Sequence, residues 1–293
     1  MDQADILRSV RQIEIRTDRL TTDLFAGGYH SVFKGLGLEF DEVREYTPGD
    51  DIRSIDWNVT ARTGSPHVKS FVEERELTVV LVVDASASLD FGSQQRTKAE
   101  AAAEVCALLA FSATKNHDKV GLVMFTDDVE LYLPPRKGRR QVLRVIREVL
   151  YFQRRSAGTN LRNALEHVSR ALTRRAVVFV VSDFQDVGYL DALTILERRH
   201  DVIAVDLYDP RERELCNAGL IELEDAETGR FTLVDTSVPG FLRRHSAHAE
   251  SEAAARRERF LSRGIDLVPI TTQHPPVDPL VAFFERRRKR LRH

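Results

Sequence analysis

Residues 78–88 read TVVLVVDASAS. The run from Thr78 to Val83 carries no charge and is mostly β-branched. An unbroken apolar run of that length marks a strand covered on both faces, not an alternating half-exposed one. It ends on Asp84, and Ser86 and Ser88 follow at alternate positions. One carboxylate and two hydroxyls therefore stand in a loop leaving the carboxyl end of a buried strand. In open parallel sheets ligands are held outside those ends. Hard, all-oxygen donors suit Mg²⁺ or Mn²⁺ better than zinc.

The pattern outward from this stretch alternates between helix and strand. A helix is expected over 97–116, strands over 119–126 and 129–133, and a helix over 138–152. The loop RSAGTN (155–160) leads to a helix over 161–173, a second all-apolar strand over 176–182, a helix over 189–199 and a strand over 201–207. Such βα alternation implies an α/β fold, a mostly parallel sheet flanked by helices. Further on, strands at 220–225 and 231–235 flank Glu227-Thr228-Gly229-Arg230 and read as a hairpin. A long charged helix over 241–262, a last strand over 265–270 and a helix over 277–291 complete the chain. Upstream, residues 4–25 have a loose helical period, and 30–76 read as a small β-rich segment with strands near 38–46 and 67–73. The organisation is thus 1–29 helical, 30–76 β-rich, 77–210 the main α/β domain and 211–293 its completion.

Two more oxygen donors fall at matching places. Thr159 lies in Gly158-Thr159-Asn160 just before a helix, and Asp183 closes the strand VVFVVSD. One carboxylate would hold a cation weakly, so further oxygens are needed. The ordered set Asp84, Ser86, Ser88, Thr159 and Asp183 resembles the metal-ion-dependent adhesion site of von Willebrand factor A domains. Each residue also has an ordinary role available: turns or N-caps for the serines, an N-cap for Thr159, a strand-ending turn for Asp183. No nucleophile stands beside a base. Neutral hydroxyls leave a bound cation with residual positive charge, which favours an acidic side chain from a partner. The rival reading is a metal-dependent hydrolase, with Asp127 or Asp186 as the base.

The stretch GLEFDEVREYTPGDDIRSIDWNVTAR (37–62), continuing through FVEERELTVVLVVDASAS, VGLVMFTD and PPRKGR, closely resembles a bacterial family, domain of unknown function 58. The resemblance covers roughly 28–210. It implies a von Willebrand factor A-like domain carrying the metal site, and a MoxR-type AAA+ ATPase as partner. It also implies an adaptor or assembly factor and not an enzyme. Within the stretch, Pro48-Gly49-Asp50 signals a turn. Trp57, the single tryptophan, reads as an apolar anchor. Arg44, Arg53 and Arg62 are candidate partner contacts. Asp50, Asp51 and Asp56 form an acidic cluster with no base or nucleophile beside them.

Bulk composition narrows the class. The 293 residues are 42% hydrophobic and 30% charged, with a net charge of −2, which fits a folded chain with no global pull toward nucleic acid. Cys106 and Cys216 have no ligand spacing and read as free thiols, in keeping with a cytoplasmic protein. The apolar runs are far shorter than a membrane span. The basic end ERRRKRLRH (285–293) reads as a solvated helix terminus whose cations complement the helix dipole. PPRKGR (134–139) lacks the phosphate-loop spacing and reads as a solvated turn before a helix.

Overall fold

The computed structural model describes residues 32, 38–73, 76–93 and 96–290. The N-terminal helical segment expected over 1–29 and the last residues of the basic tail lie outside them. Two compact units are present, Phe33–Leu77 and one comprising Met1–Val32 and Thr78–His293.

In the small unit, β1 (Leu38–Glu45) pairs antiparallel with β2 (His67–Glu73), as the pattern led one to expect. Between them lies a helix that the sequence reading had not placed, α1 (Trp57–Thr63). Asp56 starts it by accepting from Asn58 N at 2.9 Å and Val59 N at 3.2 Å, and Gly64 ends it in the left-handed region at φ 76°. The Pro48-Gly49-Asp50 turn is tied by Arg44, which donates to both Asp50 oxygens at 2.8 and 2.6 Å. Asp50 also accepts from Thr47 N at 2.8 Å. The Arg44 hydrogen bonds, then those of Thr47, hold its carboxyl well below the usual carboxylate range. Trp57, the expected anchor, is 68% exposed, and Ile52 is 66% exposed. The unit's own packing does not take up either side chain.

The large unit is built on a six-stranded sheet. Its strands are β3 (Thr78–Asp84), β4 (Lys119–Phe125), β5 (Val129–Arg136), β6 (Val177–Ser182) and β7 (Asp201–Tyr208), with β10 (Asp266–Thr271) closing one edge. The order is β10-β7-β6-β3-β4-β5, all parallel except β5, which runs antiparallel to β4. Every residue of β6 is buried, as are all of β3 and β4 but their first residues. Helices α2 (Lys98–Lys115), α3 (Arg139–Leu150), α4 (Leu161–Ala171) and α5 (Leu190–Glu197) provide the cover. Val80, Val82, Val178 and Val180 pack with Leu165 of α4 and Leu193 of α5 in one core cluster. The opposite face meets α2, whose alanines Ala101, Ala102, Ala107 and Ala110 are fully buried. Small residues let that helix approach the strands closely. Each fully buried valine or leucine contributes about 1.5–3 kcal/mol.

The remaining elements follow β7. They are a short α6 (Pro210–Arg213), the hairpin strands β8 (Leu220–Glu224) and β9 (Phe231–Asp235), α7 (Phe241–Leu261) and α8 (Val277–Arg290). Among the described residues no helix is long and apolar enough to cross a membrane.

The β4–β5 edge carries an irregularity with a specific remedy. The pairing slips between Val120 and Leu122, where Pro134 and Pro135 supply no N–H. Gly121 makes the approach feasible, since a Cβ there would stand 2.9 Å from Pro135 Cγ. Buried Gln141 of α3 donates its amide to Val120 O at 3.0 Å and Pro134 O at 3.2 Å. Gln141→Leu is expected to strand both carbonyls and cost about 1–3 kcal/mol in urea unfolding. A loss under half of that would show that water replaces the amide.

Candidate cation site at the sheet switch point

The connection leaving β3 runs to β4 on one side, and the connection leaving its other neighbour, β6, runs to β7 on the opposite side. In open α/β sheets such a switch point, beyond the carboxyl ends of the strands, is where ligands are held. Asp84 ends β3, Ser182 ends β6 and Asp183 follows it.

The loop after β3 continues the sheet for one more bond, Ala85 N to Phe125 O at 2.8 Å. Asp84 Oδ1 then accepts from Ser86 N at 2.9 Å, and Oδ2 accepts from Ser182 Oγ at 2.7 Å. Ser86 precedes a 3₁₀ turn, Ala87–Asp90, but its hydroxyl makes no capping bond. It lies instead 3.1 Å from Ser88 Oγ, which donates to Asp183 Oδ2 at 2.8 Å. Ser88 has one proton and gives it to Asp183, so Ser86 is the donor of the pair. The result is a directed chain, Ser86 to Ser88 to Asp183.

Thr159 is brought alongside by its loop. Ala87 N donates to Ala157 O at 2.9 Å, and Asn160 N to Thr126 O at 2.9 Å. Gly158 lets the exposed Asp127 carboxylate lie close, since a Cβ there would stand 2.3 Å from Asp127 Oδ1 and make that side chain move. Asn160, not Thr159, caps α4, accepting from Asn163 N at 3.0 Å. Thr159 Oγ1 is thereby free to donate to Glu227 Oε1 at 2.6 Å. The structure thus links Asp84, Ser86, Ser88 and Asp183 in one network and sets Thr159 on the adjoining loop, turned toward the β8–β9 hairpin.

Asp183 is aimed by backbone strain. The next residue, Phe184, has φ 52°, a conformation costing a non-glycine residue roughly 1–2 kcal/mol. Packing holds it there: its ring is buried, 5.2 Å from Phe260 and 5.8 Å from Tyr189. The sharp turn directs the Asp183 carboxylate at Ser88 and at a cation that pattern reading missed.

That cation is Lys98, at the first position of α2 and 1% exposed. Its ammonium donates to Asp183 Oδ2 at 2.7 Å and Glu212 Oε1 at 2.5 Å. Burial pulls the lysine down, but Asp183 and Glu212 outweigh it and hold it above its ordinary value. Behind it, buried Asp206 pairs with Arg256 at 3.0 Å and Arg213 at 3.6 Å, and Arg256 also donates to Asp183 O. Burial first, and the neighbouring Asp183 second, push the Asp84 carboxyl up to about 6. Asp183 shares the Lys98 ammonium with Glu212.

These groups fit a hard divalent cation. Ser88 and Thr159 spend their protons on carboxylates and Ser86 spends its proton on Ser88. Each hydroxyl oxygen retains lone pairs. Asp84 is a carboxylate short of positive charge. Among the described residues no three His, Cys, Asp or Glu side chains converge as a metal site, so any ligand set here is the mixed one. The two carboxylates named by the hydrolase reading already accept hydrogen bonds and keep further lone pairs. Asp127 accepts from Ser156 Oγ, and Asp186 accepts from Leu161 N at 2.8 Å and Val187 N at 2.6 Å. Arg44 is tied to Asp50, whereas Arg53 and Arg62 are exposed on the small unit.

Strand order, switch point and the loops that meet there define a von Willebrand factor A-like α/β protein. The family model described as "Protein of unknown function DUF58" matches residues 42–257, and the chain belongs to that family. Uncharacterized protein Rv1480 of Mycobacterium tuberculosis is 30% identical over 295 residues, covering 99% of this chain and 92% of that one. Uncharacterized protein MAV169 of Mycobacterium avium is 28% identical over 54% of this chain and 94% of its own length. The solved structure of an aerotolerance-related membrane protein from Bacteroides fragilis, with multiple mutations to serines, superposes with a TM-score of 0.50. It is 15% identical and covers 73% of this chain and 99% of that chain, a likeness of fold.

Proposed function

We propose that this protein is a non-enzymatic interaction module, an adaptor or assembly factor of the cytoplasm, that engages a partner through a divalent cation at the β3–β6 switch point. The observation that carries the reading is the hydrogen-bonded set Asp84, Ser86, Ser88 and Asp183, with Thr159 on the adjoining loop. Asp84 is the anionic anchor, the three hydroxyls are neutral donors, and Asp183 contributes directly or through water. A bound Mg²⁺ or Mn²⁺ would supply a position of residual positive charge for an acidic side chain. Family resemblance points to a MoxR-type AAA+ ATPase or its client as the bearer of that side chain. The exposed Arg53 and Arg62, with Arg44, offer a second contact surface.

Titration calorimetry with Mg²⁺ and Mn²⁺ is the direct test. The wild type is expected to bind and Asp84→Ala to bind at least tenfold more weakly, by the loss of its anionic ligand. Identical heats for the two proteins would remove the cation from the account. A partner captured by the wild type and released by EDTA would name the client.

A further inference from the structure

A carboxylate of the chain itself, Glu227, accepts from Thr159 Oγ1 at 2.6 Å. We infer that Glu227, at the tip of the β8–β9 hairpin, is a built-in carboxylate ligand of the cation site, and that the hairpin is a latch an external partner must displace. The inference rests on the cation reading of Asp84, Ser86, Ser88, Thr159 and Asp183.

Glu227 is placed for this by a tip that does not need its side chain. Asp225 builds the turn: it accepts from Glu227 N at 3.0 Å and Thr228 Oγ1 at 2.6 Å, while Gly229 N donates to Asp225 O at 2.7 Å. Gly229 takes φ 66°, which suits glycine. With the turn closed by Asp225, the Glu227 carboxylate is free to reach 68 residues back in sequence to Thr159. Burial records the same contact. From Glu222 to Leu233 every residue is exposed except Glu227, which is half-buried.

The donor geometry explains how one carboxylate serves both states. Thr159 gives its only proton to Glu227 Oε1. Its lone pairs remain for a cation, and Glu227 keeps a second oxygen and further lone pairs. A carboxylate held against one of the hydroxyl ligands is where an acidic partner group would have to sit. The hairpin strands pair with each other and lie outside the six-stranded sheet. The hairpin is a two-stranded ribbon, a form only marginally stable alone. Leu220, Phe231 and Leu233 on it are 63%, 61% and 64% exposed. Its base is fixed by Thr236, whose hydroxyl donates to Gly219 O at 2.7 Å. The base is thus anchored, and the tip is held through Glu227.

Linkage makes the proposal testable without knowing the partner. If Mg²⁺ favours the docked hairpin by some factor, the docked hairpin must raise Mg²⁺ affinity by the same factor. Trypsin cutting at exposed Arg230, identified by mass spectrometry, reads the first quantity, and calorimetry with Mg²⁺ alone reads the second. In the full-length wild type, Mg²⁺ is expected to slow cleavage at Arg230 by about tenfold. In Glu227→Ala that protection is expected to vanish, and Mg²⁺ affinity to fall by a matching factor without being lost. Asp84→Ala is expected to lose both. Wild type that binds Mg²⁺ with no change at Arg230, or Glu227→Ala with full affinity and protection, overturns the latch and leaves the cation site standing. Wild type that binds no Mg²⁺ overturns both.

Discussion

Asp84→Asn is expected to make the metal-free protein more stable near neutral pH, by on the order of 2 kcal/mol, while abolishing its response to Mg²⁺. The folded carboxyl titrates at about 6, against an ordinary value of 3.8. An acid whose pKa is raised on folding binds its proton more tightly in the native state. Stability is therefore highest below the unfolded value, falls as pH rises from about 4 to about 6, and is flat above that range. Raising a carboxyl that far corresponds to about 3 kcal/mol, and asparagine gives back part of this because its one amide oxygen replaces two carboxylate oxygens that accept from Ser86 N and Ser182 Oγ. Urea unfolding in EDTA at pH 4, 6 and 7.5 measures it. The difference between the two proteins should grow across that range, which isolates Asp84 from the other carboxylates. In millimolar Mg²⁺ only the wild type should gain stability. A variant that is weaker than wild type at every pH would show that Asp84 is a structural acceptor and nothing more.

Lys98→Met is expected to have the larger effect, a loss of about 3–5 kcal/mol, because it leaves a buried carboxylate without its ion. The methionine fills nearly the same volume, so the loss is electrostatic and not a cavity. Asp183 bears most of it: its side chain is 3% exposed, whereas Glu212 at 28% can turn to water. Mg²⁺ should restore part of the lost stability, and should stabilise the methionine variant more than the wild type, since the cation then neutralises Asp183 without a competing ammonium. Thermal unfolding of both proteins with and without Mg²⁺ reads the two expectations together. A variant within about 1 kcal/mol of wild type would mean that Asp183 is solvated by other means.

How much of this could be read from the chain alone follows from distance in sequence. The strands at 78–84 and 177–182 were legible because a sheet buried on both faces demands unbroken apolar runs, and nothing local competes with that demand. Asp84, Ser86 and Ser88 were legible because they are nearly contiguous. Thr159 and Asp183 needed only the assumption that they end elements on the same edge of one sheet. Helix Trp57–Thr63 escaped because its start depends on one capping carboxylate, Asp56, in a stretch whose alternating charges mask any helical period.

What the sequence determined by itself was the α/β class, the succession of strands and long helices from Thr78 onward and the oxygen donors near the carboxyl ends, because these depend on local periodicity and on burial. What only the tertiary structure decided was the charge balance around those donors. Lys98 meets Asp183 across 85 residues, and Thr159 meets Glu227 across 68. No local pattern marks either pair, since a buried ammonium at a helix start and a glutamate in a hairpin turn both look like ordinary surface residues until the sheet brings their partners to them.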